Sequence, residues 1–554
     1  MKREKFKKVI NRMSNDFDII ILNGLIIDGC GNPWFKADIG IKNGKILKIG
    51  NLKFSKAEKI INAKGLIVCP GFIDAHSHSD ISILFNPILE SSIKQGITTL
   101  IVGNCGMSLA PVNPSTKDLL LKDLSPFIPS NVELKIEWGS FKEYLEKEEK
   151  MSFSSNIVHL VGHGTIRIAI MGFENREPSI EELEKMKELV AEAMEAGAIG
   201  MSSGLIYPPG AYSKTWELIE LSKIVAKYGG IYCSHIRGEG ATLIEAIKEA
   251  IIIGKEANIP IHISHHKASG KEQWGKTKET LALIENAREN GIDITFDQYP
   301  YEAGMTSLST LLPSWVHEDG LDKMLERLKI KEVREKIKKE IEERIVKHNL
   351  IKECGWENIY ISSVKSEKNK FMEGKNLKQI SQIRKENEFD TLFNILIEEE
   401  GQVTMIIFSM NEEDIRRIMK HNLQMFGTDS WAIDSCKKES GMVHPRFYGT
   451  YPKVFRKYVK EEKLFSLEEA IRKMTSFPAQ RFFLMDRGII KEGMWADIVI
   501  FNLENIKDKA TYENPHQYPE GIEYVLINGE IVIEKGEYTG AMPGKVLKPL
   551  RNKI

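Results

Sequence analysis

The sequence predicts an α/β fold: a (β/α)8 TIM-like barrel with a small β-sandwich-like domain built from both termini and a helical insertion between the seventh and eighth strands. Three observations lead there. After residue 70, eight short β-branched or apolar runs each end in Gly, His, Ser or Asp and give way to charged helical stretches. The flanking regions 17–70 and about 485–545 break that alternation with short strand-like runs punctuated by NG and DG turn pairs. A stretch at about 317–422 is too long for a simple connection and is heavily charged in its first half.

The eight runs are GFIDAHSHSD at 71–80, TTLIVGNCG at 98–106, NIVHLVGHG at 156–164, AIGMSSGL at 198–205, GIYCSHIRGE at 230–239, PIHISHHKAS at 260–269, IDITFDQYPYEAG at 292–304 and LQMFGTDS at 423–430. Strands alternating with helices in this number argue for a closed barrel over 71–484 rather than an open doubly wound sheet. The helices carry legible ends. Ser179 and Glu182 form a capping-box pattern, Leu183, Met186, Leu189, Val190 and Met194 follow at helical spacing, and Gly197 stops the run. The flanking regions read as one small β domain. The 317–422 stretch reads as helices over the barrel mouth or, equally, as a solvated excursion without function.

The composition excludes several classes. With 554 residues, 42% hydrophobic and 28% charged, the chain can bury a large core and has the mix of a soluble globular protein. Lys+Arg 77 against Asp+Glu 78 leaves a net charge of -1, so no global field draws it to nucleic acid or an anionic membrane, and the expected partner is a small molecule. No stretch approaches the ~18 apolar residues of a membrane span, and the first sixteen residues hold no apolar signal-peptide core. Cys30, Cys69, Cys105, Cys233, Cys354 and Cys436 are scattered without a paired framework, which suits a reducing compartment. A cytoplasmic chain is expected.

In such a barrel the chemistry sits at the C-terminal ends of the strands, and that is where the polar residues fall. His76 and His78 stand in H-x-H spacing, so both imidazoles project to one face and can reach one cation. Alone this is a weak signal. Cys105 after the second strand, His235 after the fifth, His265 after the sixth and Asp429 after the eighth add a thiolate, two imidazoles and a carboxylate at the same rim. That donor set favours a borderline-soft ion such as zinc over two histidines satisfied by hydrogen bonds in a polar mouth. Strand parity sorts the neighbours. Lys267 shares a face with His265, while His266 points into the helix layer as a structural residue; Cys233 and Arg237 share the face of His235, with Cys233 one pleat deeper in the core. Asp297, Tyr299 and Tyr301 share a face on the seventh strand, and those nearest the mouth can contact substrate. His163 is expected to orient a ligand or the substrate rather than to bind metal directly.

Two other patterns are weaker. Gly200-Met201-Ser202-Ser203-Gly204 matches the G-x-S-x-G nucleophile elbow, but Pro208-Pro209 prevents the helix that motif needs. Gly238-Glu239-Gly240 and Gly162-His163-Gly164 are only fragments of a phosphate-binding glycine pattern and do not support nucleotide binding.

The segments PGFIDAHSHSD, TTLIVGNCGMSLAPV, LVGHGTIR, SHIRGEG, ISHHKASG, DQYPYEAG, GTDS and HPRFYGTYPKV resemble, in family order from about residue 17 to 545, the amidohydrolase superfamily and within it the D-aminoacylase (N-acyl-D-amino-acid deacylase) family. Many amidohydrolases bridge their metals with a carboxylated lysine on strand four. Strand four here has no lysine, and the resemblance gives that role to Cys105. It implies one tighter zinc on Cys105, His235 and His265, a second, weaker or partly occupied site on His76, His78 and Asp429, and Asp429 as general base. It also implies that Lys267, Tyr299 and Arg446 bind the substrate's α-carboxylate, for which cationic and phenolic donors are suited. The expected activity is zinc-dependent hydrolysis of N-acyl-D-amino acids. The rivals are another amidohydrolase acting on cyclic amides or dipeptides, and a barrel without catalysis that serves as a scaffold.

Overall fold

A computed structural model describes residues 16–129, 131–346, 349–433 and 441–549. Eight strands form the barrel: β1 (Phe72–Asp74), β2 (Ile97–Val102), β3 (Asn156–Gly162), β4 (Gly200–Gly204), β5 (Ile231–His235), β6 (Ile261–Ile263), β7 (Ile294–Gln298) and β8 (Gln424–Phe426). They pair in parallel in sequence order from β1 to β8. The last gap, between β8 and β1, is closed by a few main-chain bonds: the Ala75 amide donates to Phe426 O at 3.2 Å, the Asp429 amide to His76 O at 2.8 Å and the His78 amide to Ser430 O at 2.9 Å. The chain segments that carry His76, His78 and Asp429 therefore also complete the barrel.

Pleat alternation decides what each strand buries. Val158 and Leu160 on β3, Ile231 and Cys233 on β5, and Met425 on β8 face the barrel interior, which Ala479, Phe482 and Leu484 plug from below. Val161, Tyr232, Ile261, Ile263 and Phe296 pack outward against the helices. His159 belongs to that outward set, with its Nε2 2.7 Å from Glu148 Oε2. The helix Ile180–Ala196 starts at Ser179, whose hydroxyl accepts from the Glu182 amide in a reciprocal capping box. It buries Leu183, Met186, Val190 and Met194 and ends at Gly197 with φ 131°.

Both termini build one mixed nine-stranded sheet. They join where Ile67–Pro70 pairs antiparallel with Ile498–Phe501. Alternation splits the latter strand between two cores: Ile498 and Ile500 pack within the terminal domain, Val499 and Phe501 against the barrel. Two NG pairs form the tight turns that need positive φ at both residues, Asn43 (50°) with Gly44 (78°) and Asn528 (50°) with Gly529 (80°), whereas Asn23-Gly24 lies inside the strand Phe17–Ile26 at a register shift.

The excursion between β7 and β8 departs from the expected helical insertion. Its helices, among them Leu321–Leu328, Lys331–Glu342, Leu377–Arg384 and Glu388–Glu398, pack on a three-stranded antiparallel sheet of Ala303–Ser307, Val403–Phe408 and Ile359–Val364. The central strand, VTMIIF, is an almost wholly buried apolar run, and it takes partners far away in sequence on both sides. With a core of its own, and with Met305, Thr306 and Ile407 in the wall of the cavity at the barrel mouth, the excursion is part of the site. Among the described residues, no helix is long and apolar enough to cross a membrane.

Candidate active site at the barrel mouth

All six predicted ligand residues meet at the C-terminal end of the barrel. Their donor atoms fall into two groups, each with all atoms within 4.8 Å of one another: His76, His78, Cys105 and Asp429, and Cys105, His235 and His265. Cys105 is common to both. Its Sγ lies 3.3 Å from His76 Nε2, 3.5 Å from His265 Nε2 and 3.8 Å from His235 Nδ1. Asp429 Oδ1 stands 3.4 Å from Nε2 of both His76 and His78. Three of the six adopt left-handed backbone conformations that non-glycine residues seldom take: Cys105 (φ 53°), His265 (φ 36°) and Asp429 (φ 50°). Such strain persists where the surroundings over-determine it, and here it turns three side chains inward just beyond their strands.

The electrostatics of this cluster are those of donors pressed together. Burial alone would raise the Cys105 thiol, but the His76 and His265 imidazoles beside it hold it well below the ordinary thiol value, so it stands as a thiolate. Burial would likewise raise Asp429, yet Arg446 and His265 keep the carboxylate ionised. Burial pushes His235 down, favouring the neutral imidazole that can donate a lone pair to a metal.

Two buried carboxylates orient the cluster. Asp297, inside β7, accepts from the His265 amide through Oδ1 at 3.0 Å, while its Oδ2 lies 3.3 Å from His76 Nδ1 and 2.9 Å from His262 Nε2. Glu239 Oε1 lies 3.0 Å from His265 Nδ1 and 2.5 Å from Lys267 Nζ. With Nδ1 held by Asp297 in His76, and by Glu239 together with Lys267 Nζ at 2.7 Å in His265, Nε2 of both is directed at Cys105; partners on the far nitrogen are what orient the ring of a metal-ligating histidine. Sequence reading missed Glu239 because it treated Gly238-Glu239-Gly240 only as a glycine fragment; a carboxylate four residues after a strand-end histidine was the available signal. Replacing Glu239 with Gln is expected to weaken metal retention by about 10–100-fold, measured by competition with a chelator. Unchanged retention would remove Glu239 from the support of His265.

The expected substrate-binding residues stand across the same cavity. Lys267 Nζ lies 5.6 Å from the Tyr299 ring centre and the Arg446 guanidinium 4.7 Å from it on their respective approaches. Arg446 opens the helix Arg446–Lys453, and its Nη1 is 2.8 Å from Asp429 Oδ2 as an ion pair, while its Nε has no hydrogen-bond partner among the described residues. Tyr207, not anticipated from sequence, sets its ring edge-on to His235 at 5.0 Å and accepts a hydrogen bond from Thr306 Oγ1 at 3.1 Å. These groups enclose about 760 Å³, open to solvent.

Other residues are engaged elsewhere. His163 does not bond any of the six: its Nε2 is 2.8 Å from Glu217 Oε1, whose other oxygen binds Arg167. The Ser202 hydroxyl is consumed by the Gly106 amide and Gly103 O, which leaves no nucleophile in the G-x-S-x-G pattern. His266 bonds Thr280 Oγ1 in the helix layer, and Arg237 pairs with Glu249. Cys436 lies outside the described residues.

Residues 59–533 match the amidohydrolase family, and residues 3–70 match the N-terminal domain of the urease alpha-subunit. The chain is 34% identical to a D-aminoacylase of Alcaligenes xylosoxydans xylosoxydans over 96% of its own length and 98% of the relative. It is also 34% identical to an N-acyl-D-glutamate deacylase of the same organism, with 97% of each chain covered. The solved N-acyl-D-glutamate deacylase of Bordetella bronchiseptica, complexed with zinc and a phosphonate that mimics the tetrahedral intermediate, superimposes with a TM-score of 0.81 at 30% identity, covering 96% of this chain and 99% of that one. With its eight-stranded barrel, the two-terminus sheet and near full-length similarity, the chain belongs to the amidohydrolase family and, within it, to the D-aminoacylases.

Proposed function

We propose that this protein hydrolyses the amide bond of N-acyl-D-amino acids with zinc as cofactor, releasing a carboxylate and a free D-amino acid. One observation carries the reading: two ligand groups sharing Cys105 open onto the same cavity as Lys267, Tyr299 and Arg446. The donor set fits zinc, since thiolate, imidazole and carboxylate are its usual partners and the donor atoms of each group are close enough to share one ion. Cys105, His235 and His265 would hold the tighter ion, and His76, His78 and Asp429 the second. Zinc bound there supplies a Lewis acid for the amide oxygen and lowers the pKa of a water to about 7.

The remaining work belongs to the chain. Asp429 accepts the proton of the attacking water and returns it to the departing amine, a transfer for which its Oδ1 faces the cluster. Lys267, Arg446 and Tyr299 hold the α-carboxylate. Both cations rest on carboxylates in this structure, Lys267 on Glu239 and Arg446 on Asp429. A substrate carboxylate competing for Arg446 frees Asp429 Oδ2 just as the base is required. Carboxylate, amide and side chain give three fixed points, which is the geometric requirement for choosing one enantiomer.

Matched N-acetyl-D- and N-acetyl-L-amino acids, assayed for amine release with zinc supplied, test this. Turnover of the D series alone is expected. Inert D substrates with zinc-loaded protein would sink the reading and turn attention to cyclic amides and dipeptides.

A further inference from the structure

We propose that the site selects N-acyl-D-amino acids with neutral side chains and rejects acidic ones; this rests on the deacylase reading and narrows it. Similarity does not decide the point, because a relative named for D-glutamate and one named for D-aminoacylase activity match this chain equally, at 34%. The cavity wall decides it. Among the described residues, its only lysine and arginine are Lys267 and Arg446. Each already faces a carboxylate, and both are needed for the substrate's α-carboxylate. A second carboxylate on the side chain then meets no further lysine or arginine among the described residues of the wall.

Much of the rest of the wall is apolar, including Ile81, Met107, Phe127, Ile206, Ile407 and Trp431, with Tyr207, Ser269, Thr306 and Ser409 as uncharged polar groups. A carboxylate set against the apolar part would lose its water without gaining a counter-charge, and the hydroxyls replace only part of that hydration. The cavity continues into an outer chamber of about 940 Å³ that shares Met107, Phe127, Ile206 and Tyr207. Among the described residues that chamber supplies no free cation either. Its one lysine, Lys122, is bound to Asp322 at 2.6 Å, and its His317 is held neutral by burial, with the pKa lowered to about 4. Asp123 also lines it, and no cation is paired with that carboxyl among the described residues. Burial pushes the Asp123 carboxyl up to about 7, so near neutral pH it is partly ionised and offers an acidic side chain no positive partner.

The test is kcat/KM of the zinc-loaded protein on N-acetyl-D-Leu, D-Met, D-Gln and D-Glu. D-Leu and D-Met are expected to exceed D-Glu by about 10²-fold or more. D-Gln has the shape of D-Glu without its charge and is expected to recover most of the deficit. Equal or faster turnover of D-Glu would overturn the inference and leave the deacylase reading standing. D-Gln as poor as D-Glu would overturn it too, by assigning the rejection to shape. If no D substrate reacts, the deacylase reading itself falls, and this inference with it. Met107→Arg, which places a cation on the wall common to both chambers, is expected to shift the D-Glu to D-Leu ratio toward D-Glu by about 10-fold or more. An unshifted ratio in folded, zinc-loaded variant would overturn the assignment of that wall to the side chain.

Discussion

Asp429→Asn is expected to lower kcat by about 10³-fold while zinc remains on the Cys105, His235 and His265 group. The amide keeps the shape of the carboxylate, so the loop that closes the barrel through the Asp429 amide and His76 O can stay in place. What disappears is the ability to take a proton from water. The ion pair with Arg446 disappears as well, and a guanidinium no longer held by Asp429 is freer to engage a substrate carboxylate. KM should therefore hold steady or fall, which separates loss of a base from loss of a binding group. Steady-state kinetics, with metal per chain counted after dialysis, give all three quantities. A kcat within 10-fold of the parent would remove Asp429 as the base.

Much of this was legible before the fold was known, because the strands announce themselves as apolar runs ended by residues that can do chemistry. H-x-H, a cysteine, two further histidines and an aspartate after different strands converge wherever a barrel gathers its strand ends. Alternation holds inside the strands, where Cys233 of β5 is core on the interior face. Beyond them it lost its physical basis. β6 ends at Ile263, and His265 turns inward through a left-handed backbone, so its contact with Lys267 owes nothing to pleat alternation. The supporting carboxylates were harder to read. Glu239 acts by reaching His265 and Lys267, the latter 28 residues away; its place four residues after His235 is the one local signal, and it does not name those partners. The antiparallel sheet of the excursion was hidden for the same reason: Ala303–Ser307 pairs with a strand about a hundred residues later, while the charged helices between them dominate the composition.

Cys105→Ala is expected to do more damage than loss of any other single ligand, because its sulfur is the one donor atom common to both groups. His78→Ala removes a donor from one group only and leaves Cys105, His235 and His265 intact. Removing the thiolate breaks both, and it also takes away the negative charge that faces His76, His235 and His265 in a buried site. Metal affinity should fall by more than the roughly 10–100-fold expected of a supporting residue, and hydrolysis should drop to background. Activity is not the only readout. Zinc at 100 times its Kd stabilises the native protein by about 2.7 kcal/mol if it does not bind the unfolded chain, so zinc should raise the melting temperature of the parent. That rise should be lost in Cys105→Ala and persist in His78→Ala. If Cys105→Ala keeps its zinc-dependent rise, the tighter ion does not depend on this thiolate, and the division of the six ligands around Cys105 is wrong. If both variants lose it, the two groups act as a single inseparable site.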